Sequence, residues 1–327
     1  MEQKIRWGII GLGNIAHSFI KDLALVNNAE ITAVASRNLE KSKTFAGEYH
    51  VPLAFGSYSE LLECKEVDVV YIATPHTFHA ELSIMAMDHG KHVLCEKPMG
   101  ISTEEVEKMI ASAKKNNVFL MEALWSRFNP AIRKVKSLVE SGEIGDIAYL
   151  HADFAFYALD RDFQGRVLNP KLAGGSLLDI GIYPIFLTYL LLGKPDEVLS
   201  TSNFHDNGAE IQTSMIFKYP EAHAVLYSGF TSGSEMKAQI SGKKGTIVIP
   251  ERWHQAQGYS VQRENEREEF TLPTQGKGYF HEINEVHACL AEGKLESALW
   301  SHQNTLDLIG LMDTVRSQNG IHFPQKE

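Results

Sequence analysis

The 327-residue chain has little of several things, and each shortage excludes a class of protein. Its three cysteines, Cys64, Cys95 and Cys289, are odd in number, far apart and in no C-x-x-C pair. That count supports neither a disulfide framework nor a zinc site, and reduced thiols fit a cytoplasmic location. Basic residues are the minority, 31 against 41 acidic, for a formal net charge of −10. This balance argues against a nucleic-acid backbone or an anionic membrane as the main partner, so any anionic ligand must be held by local groups. No apolar run reaches the roughly 18 residues of a membrane span, and MEQKIRWGIIG enters a strand pattern with no signal-peptide core before it. Internal repeats, low-complexity tracts and an obvious linker are absent too. What is present, 44% apolar and 22% charged residues, suits a soluble globular chain of about two domains in close contact.

Residues 5–10, IRWGII, read as a buried strand and run directly into GLGNIA, with helical apolar spacing over HSFIKDLALV. Gly11, Gly13 and Ala16 stand in G-x-G-x-x-[GA] spacing, with Leu12, Asn14 and Ile15 between them. Gly11 permits a tight turn, Gly13 lets the backbone approach a pyrophosphate, and Ala16 allows close helix packing. The helix N-terminus behind them offers free N–H groups to an anion. A plain glycine turn is the alternative. The next strand, EITAVAS, ends at Ser36 and Arg37, where an NAD-specific site would carry an acid that accepts from the ribose 2′-hydroxyl. Ser36 can donate to a 2′-phosphate and Arg37 can pair with it, so NADP is favoured and NAD remains possible. Arg37 as an ordinary surface residue is the competing reading.

Strands and helices then alternate through VDVVYIATP at 67–75, the helix TFHAELSIMAMDHG, the strand HVLCEK, a further helix TEEVEKMIASAKKN and VFLMEA. This rhythm predicts a doubly wound, mostly parallel sheet over residues 1–121. Thr74 and Pro75 fall at a strand's carboxyl end, with His79 just beyond. Glu96 and Lys97 fall at another, the edge where ligands of such sheets bind. Lys97, flanked by Glu96 and Pro98, is either a solvated turn residue or a catalytic cation, and its predicted position favours the second.

After residue 121 the pattern changes. One amphipathic helix, AIRKVKSLVESGEIG, leads to a strand at IAYLHADFAF and a Gly/Pro/Asn-bearing loop at 161–175. Strands near 197–204, 210–218, 222–230, 236–241 and 245–249 follow one another through short turns. Successive strands without helices between them predict a second α/β domain, 122–327, built on a large open, mainly antiparallel sheet. GGSLLDIGIYP places Asp179 and Tyr183 four apart, on one face if the helix is continuous, although Pro184 could break it near Gly181. An Asp cap beside a buried tyrosine is the plainer alternative. Together the pieces suggest a general base, Tyr183, whose pKa a cation at Lys97 lowers, with Asp179 orienting either partner. HEINEVH has its histidines six apart, not the four a zinc helix needs, and reads as a solvated helix edge. GKKG at 242–245 lacks P-loop spacing and reads as a turn between strands. No metal site is expected.

GLGNIA, ATPHTFHAE, EKPMG and GGSLLDIGIYP resemble the Gfo/Idh/MocA oxidoreductase family over nearly the whole chain. The resemblance implies a Rossmann domain followed by an α/β domain whose open sheet serves dimerisation, so a homodimer is expected. It also implies that Lys97 is catalytic and that Pro98 follows a cis peptide bond. Tyr183 stands where the family usually has histidine, which is similar to the branch of dimeric dihydrodiol dehydrogenases and glucose-fructose oxidoreductases. MEALWSRFNP, with Glu122, Trp125, Arg127 and Pro130, resembles the dihydrodiol and D-xylose dehydrogenase branch. By this resemblance Arg127 joins the cofactor-binding set, and Trp125 and Phe154 line the substrate pocket, core packing being equally open for Phe154. The implied activity is hydride transfer between NADP and a cyclic polyol, aldose or trans-dihydrodiol. The alternatives are a non-catalytic nicotinamide-dinucleotide sensor and a sugar–sugar oxidoreductase that never releases its cofactor.

Overall fold

The structure, a computed structural model, describes residues 4–323. It contains two compact units, one of residues up to 128 with 275–306, the other of 129–274 with the chain from 307 onward.

In the first unit, β1 (Ile5–Ile10), α1 (Asn14–Leu23), β2 (Ala29–Ala35), α2 (Leu39–Tyr49), β3 (Leu53–Phe55), α3 (Tyr58–Glu63), β4 (Val69–Ile72), α4 (His79–Asp88), β5 (His92–Glu96), α5 (Thr103–Asn116) and β6 (Leu120–Ala123) alternate as the sequence predicts. The six strands form one sheet in the order β3-β2-β1-β4-β5-β6, all parallel. That order reverses between β1 and β4, the switch point at which doubly wound sheets bind dinucleotides. The central strands are apolar runs because both their faces are covered: Ile9, Ile10, Val69, Val70, Ile72, Val93 and Leu94 are all fully buried. Side-chain caps set several helix starts, with Asn38 accepting from the Lys41 N–H at α2 and Ser102 from the Glu105 N–H at α5.

The boundary expected at 121/122 falls inside this unit, which also takes in α8 (Tyr279–Ala291). The cause is polar. The Asp22 carboxylate on α1 accepts from the backbone N–H groups of Lys277, Gly278 and Phe280, capping α8 from a distant part of the chain. Leu120 N–H donates to the Leu295 carbonyl at 3.1 Å, and Trp300 Nε1 to Glu122 at 3.0 Å. Helical periodicity identifies such a segment without saying what it docks on.

The second unit carries an eight-stranded sheet in the order β14-β13-β12-β11-β7-β10-β9-β8, with α6 (Pro130–Glu140) and α7 (Ile182–Leu192). Its strands are β7 (Ile147–Ala155), β8 (Glu197–Phe204), β9 (Glu210–Lys218), β10 (His223–Gly229), β11 (Ala238–Gly242), β12 (Gly245–Ile249), β13 (Gly258–Arg263) and β14 (Glu266–Thr271). Every neighbouring pair is antiparallel except β7 and β10. The β13–β14 hairpin was not predicted, because EREEFT is exposed at all six positions and shows no alternation. GKKG does form the β11–β12 turn, with Gly242 opposite Gly245.

Two rows of side chains run across this sheet, one residue apart. Val198, Phe217, Ala224, Leu150, Ile240, Ile247 and Val261 lie opposite one another in register and are buried. The adjacent row, Leu199, Ile216, Val225, His151, Gln239 and Val248, faces outward, with Leu199 49%, Ile216 41% and Val225 38% exposed. A slip of one residue would exchange the two rows, so burial of one face fixes the register. Among the described residues no helix is long and apolar enough to cross a membrane.

Candidate active site

At the β1–α1 turn Gly11 has φ +91°, and a Cβ there would lie 2.6 Å from the Ala73 carbonyl oxygen. The turn can pass over the end of β4 only because position 11 is glycine. A Cβ on Gly13 would meet nothing within 4 Å, and no side chain caps α1. Ala16 is fully buried, and Leu12 is 3% exposed. An accessible backbone at Gly13, Asn14 and Ile15 on an uncapped helix N-terminus fits an anionic pyrophosphate. A second sign of fit is Thr74, whose Oγ1 is buried without a hydrogen-bond partner at the end of β4.

The residues after β2 separate. Arg37 is exposed and lies 5.7 Å from the Phe78 ring centroid; burial pushes the Tyr58 phenol up, and the nearby Arg37 charge draws it back. Ser36 is buried, and its hydroxyl donates to the Asn38 carbonyl at 2.7 Å while accepting from the Asn38 N–H at 3.1 Å. Its proton already holds the turn into α2, so a role as donor to a 2′-phosphate requires that turn to open. Arg37 is the group available to an anion.

Lys97 stands half-buried just beyond β5, and the Lys97–Pro98 peptide is cis, as the resemblance implies. Its neighbours are fixed on both sides. The Tyr71 hydroxyl donates to Glu96, which also accepts from the Lys97 N–H at 3.2 Å. Met99 N–H donates at 2.9 Å to Glu122, a buried carboxylate that accepts further from Trp300 Nε1 and the Thr305 hydroxyl, each at 3.0 Å. Burial pushes the Glu122 carboxyl upward, while the three donors and the Lys97 charge oppose it. Fully buried His79 has its Nδ1 2.8 Å from the Pro98 carbonyl and its Nε2 2.8 Å from the Thr74 carbonyl. It therefore ties the two strand ends together rather than presenting a free edge to a cofactor. Pro75 turns the chain between Thr74 and this histidine. Arg127, proposed as a cofactor ligand, is buried with Nε donating to the Leu299 carbonyl at 2.8 Å, and Trp125 packs on Tyr279 with ring centroids 5.2 Å apart.

In the second unit the Asp179–Tyr183 segment is continuous. A π-helical turn, Leu177–Gly181, passes directly into α7, and Pro184 sits in the first turn of α7 where proline is tolerated. A Cβ at Gly181 would be 2.9 Å from Ser228 Oγ, so glycine lets this turn press onto β10. Asp179 is buried and pairs with Arg166 at 3.0 Å. The Tyr183 ring lies 5.4 Å from those of both Phe154 and His254, and Phe154 stacks on His254 at 4.2 Å. Beneath the turn, fully buried Glu210 accepts from the Ser176 hydroxyl, the Leu177 N–H and the Thr213 hydroxyl, each at 2.7 Å.

The sequence gives no warning of Glu210, His254 or Arg166. Period-two alternation in β9 puts Glu210 on the outer face with Gln212 and Ser214. The register shift, in which Asn203 pairs with Gln212 and Phe204 with Glu210, leaves Ile211 as an extra residue on β9 and turns Glu210 inward. HEINEVH is not a solvated edge either: Glu282 is fully buried, and His287 Nε2 accepts from Trp7 Nε1 at 3.0 Å. Among the described residues no cluster of His, Cys, Asp or Glu could hold a metal ion.

A parallel 3-2-1-4-5-6 sheet with a glycine turn at its switch point and a lysine at the end of β5, joined to a large mixed sheet, defines a nicotinamide-dinucleotide oxidoreductase. Residues 5–124 match the oxidoreductase family with NAD-binding Rossmann fold, and 132–248 match the GFO/IDH/MocA C-terminal domain. The chain belongs to the Gfo/Idh/MocA family, in the branch of the dihydrodiol dehydrogenases. It is 35% identical to the trans-1,2-dihydrobenzene-1,2-diol dehydrogenase of Mus musculus, over 98% of both chains. It is 34% identical to the NADP-dependent scyllo-inositol 2-dehydrogenase of Bacillus subtilis, again over 98% of both. Among solved structures, an aldose-aldose oxidoreductase from Caulobacter crescentus superposes with a TM-score of 0.87 at 27% identity, covering 96% of this chain and 97% of that one.

Proposed function

We propose that this oxidoreductase uses NADP to interconvert a hydroxyl and a carbonyl on a cyclic polyol, aldose or trans-dihydrodiol. The observation that carries the reading is Lys97, a half-buried cation beyond β5 whose loop is pinned by Glu122 through Met99. The relatives that act on an inositol, on dihydrodiols and on aldoses supply the substrate class. Gly11, Gly13 and the N-terminus of α1 would hold the pyrophosphate, Thr74 and Pro75 would border the nicotinamide side, and Arg37 would meet a 2′-phosphate. The bound cofactor supplies the hydride acceptor. Tyr183 takes the hydroxyl proton as the C–H bond gives up its hydride, and the Lys97 ammonium is assigned the role of donor to the oxygen becoming a carbonyl. Asp179, paired with Arg166, orients the tyrosine segment. Trp125 and Phe154 act as apolar walls for the substrate.

The outward row of Leu199, Ile216 and Val225 is an apolar strip suited to a second copy of the chain, and we assign homodimerisation to it. The free thiols of Cys64, Cys95 and Cys289 support a reducing, cytoplasmic location.

Titration of protein fluorescence with NADPH and NADH tests the cofactor assignment. Wild type should prefer NADPH, and Arg37→Ala should lose roughly tenfold or more of that preference. Equal binding by wild type overturns the NADP reading. Lys97→Met and Tyr183→Phe should each bind NADPH normally yet turn over ~10²–10⁴-fold more slowly. Normal turnover by either variant removes that residue from the mechanism.

A further inference from the structure

We propose that the outward side of the eight-stranded sheet carries a second binding site, for a small neutral molecule with several hydroxyl groups, across the sheet from Tyr183. It stands whether or not Tyr183 is the acid/base group.

Neighbouring strands build its floor. In register, Tyr227 on β10 lies opposite Asp153 on β7, Gln239 on β11 opposite His151, and Val248 on β12 opposite Gln239. Side chains alternate along a strand, so Asp153 points away from Phe154, whose ring packs on the other side against Tyr183. A cavity of about 380 Å³ opens over these five residues, with Glu235 and Lys237 at its rim. That volume falls among small-molecule sites, which span roughly 300–1,000 Å³. The outward face changes character here. Leu199, Ile216 and Val225 make the apolar strip on β8, β9 and β10, whereas Val248 is the one aliphatic side chain in the cavity. A second copy of the chain suits the strip; the cavity suits a polar occupant.

The polar groups are held ready. Asp153 is 7% exposed, and its carboxylate accepts from the Met236 N–H at 3.3 Å, a single long bond for a group with about four acceptor positions. Glu235 and Lys237 pair with each other at 2.7 Å, so Asp153 is the lining carboxylate left without a cation. A buried carboxylate this short of donors gains from any ligand that supplies them. The Tyr227 hydroxyl accepts from Gln212 Nε2 at 2.7 Å, which leaves its own proton to donate elsewhere. Glycine at 229 permits this pose, since a Cβ there would lie 2.6 Å from Tyr227 Oη. Gln239 gives one amide proton to Ser241 at 2.9 Å and keeps its carbonyl for a ligand. The floor therefore offers both donors and acceptors around one negative charge. Hydroxyl groups, which donate and accept at once, match that array. Asp153 repels an anion, and a flat hydrocarbon would seal its carboxylate away from water without replacing the lost hydrogen bonds.

Hydrogen–deuterium exchange on the full chain tests the site, with myo-inositol and D-glucose as neutral probes, citrate as an anion and putrescine as a cation. A neutral probe at about ten times its Kd should slow exchange by up to about tenfold in β7, β10, β11 and β12, equally in wild type and Tyr183→Phe. Asp153→Asn keeps an acceptor for Met236 but removes the charge, and Gln239→Trp fills the cavity from an exposed position. Both should melt like wild type and lose the protection, and Gln239→Trp should keep wild-type turnover. Protection that persists in both variants, or that vanishes in Tyr183→Phe, comes from the other side of the sheet and overturns the inference. Protection by neither neutral probe, or by citrate or putrescine alone, overturns it as well. The turnover of Tyr183→Phe judges the acid/base reading separately.

Discussion

The segments around Lys97 and Asp179 lie in different units and different architectures, yet each is held by one fully buried glutamate. Glu122 takes the Met99 N–H, the Trp300 indole and the Thr305 hydroxyl. Glu210 takes the Leu177 N–H and the hydroxyls of Ser176 and Thr213. Glu282 on α8 is equally buried, but neither of its carboxylate oxygens has a hydrogen-bond partner. Burial pushes all three carboxyls up. Donors oppose the shift at the first two, whereas at Glu282 the nearby charges of Glu96 and Asp22 add to it. The difference teaches that a buried carboxylate holds structure through the donors it satisfies, not through its charge.

That contrast can be broken by substitution. Glu210→Leu and Glu122→Leu each strand three buried donors, and each should cost about 3–5 kcal/mol in denaturant unfolding. Losses of that size take a large share of an ordinary stability of about 5–15 kcal/mol, so both variants should also melt well below wild type. Glu282→Gln should have the opposite sign, stabilising by about 1 kcal/mol or more at neutral pH, because it removes an unpartnered acid. The direction with pH follows from the raised carboxyl. The folded state keeps a proton that the unfolded chain releases above its ordinary value near 4.5, so stability is lost as pH rises through the folded pKa. The gain from Glu282→Gln should therefore grow with pH, and a loss at every pH would place Glu282 with Glu122 and Glu210.

How far the sequence shows these features follows the same division. The parallel sheet, GLGNIA and the position of Lys97 are legible because βαβ periodicity and glycine spacing are local properties. The β7–β12 strands are legible because one face is buried and the pattern alternates; charged β14 has no such signal. Glu122 was picked out by resemblance and Glu210 not at all, since accepting three donors from separate segments leaves no local trace. The positions of Ser36 and His79 near strand ends suggest cofactor groups, whereas the protein partners of their polar atoms have no trace in the local sequence. Position along a strand predicts the edge a residue reaches, whereas its hydrogen bonds depend on what the rest of the chain brings there.

His287 extends the contrast to a base. Burial draws its imidazole down to about 4 from an ordinary 6.5, and Nε2 accepts from the Trp7 indole, which requires that nitrogen to be unprotonated. The unfolded chain therefore takes up a proton first as the medium is acidified. The contribution is whole above pH 6.5 and is lost as pH falls towards 4, the reverse of the dependence at Glu282. Because the ring is half-buried and partly screened, the loss should be about 1–2 kcal/mol, less than the full shift implies. His287→Gln keeps an acceptor for the indole without a titrating group. It should flatten stability between pH 6.5 and 4 relative to wild type in chemical denaturation, and parallel curves for the two proteins would show that Trp7 and His287 do not couple folding to protons.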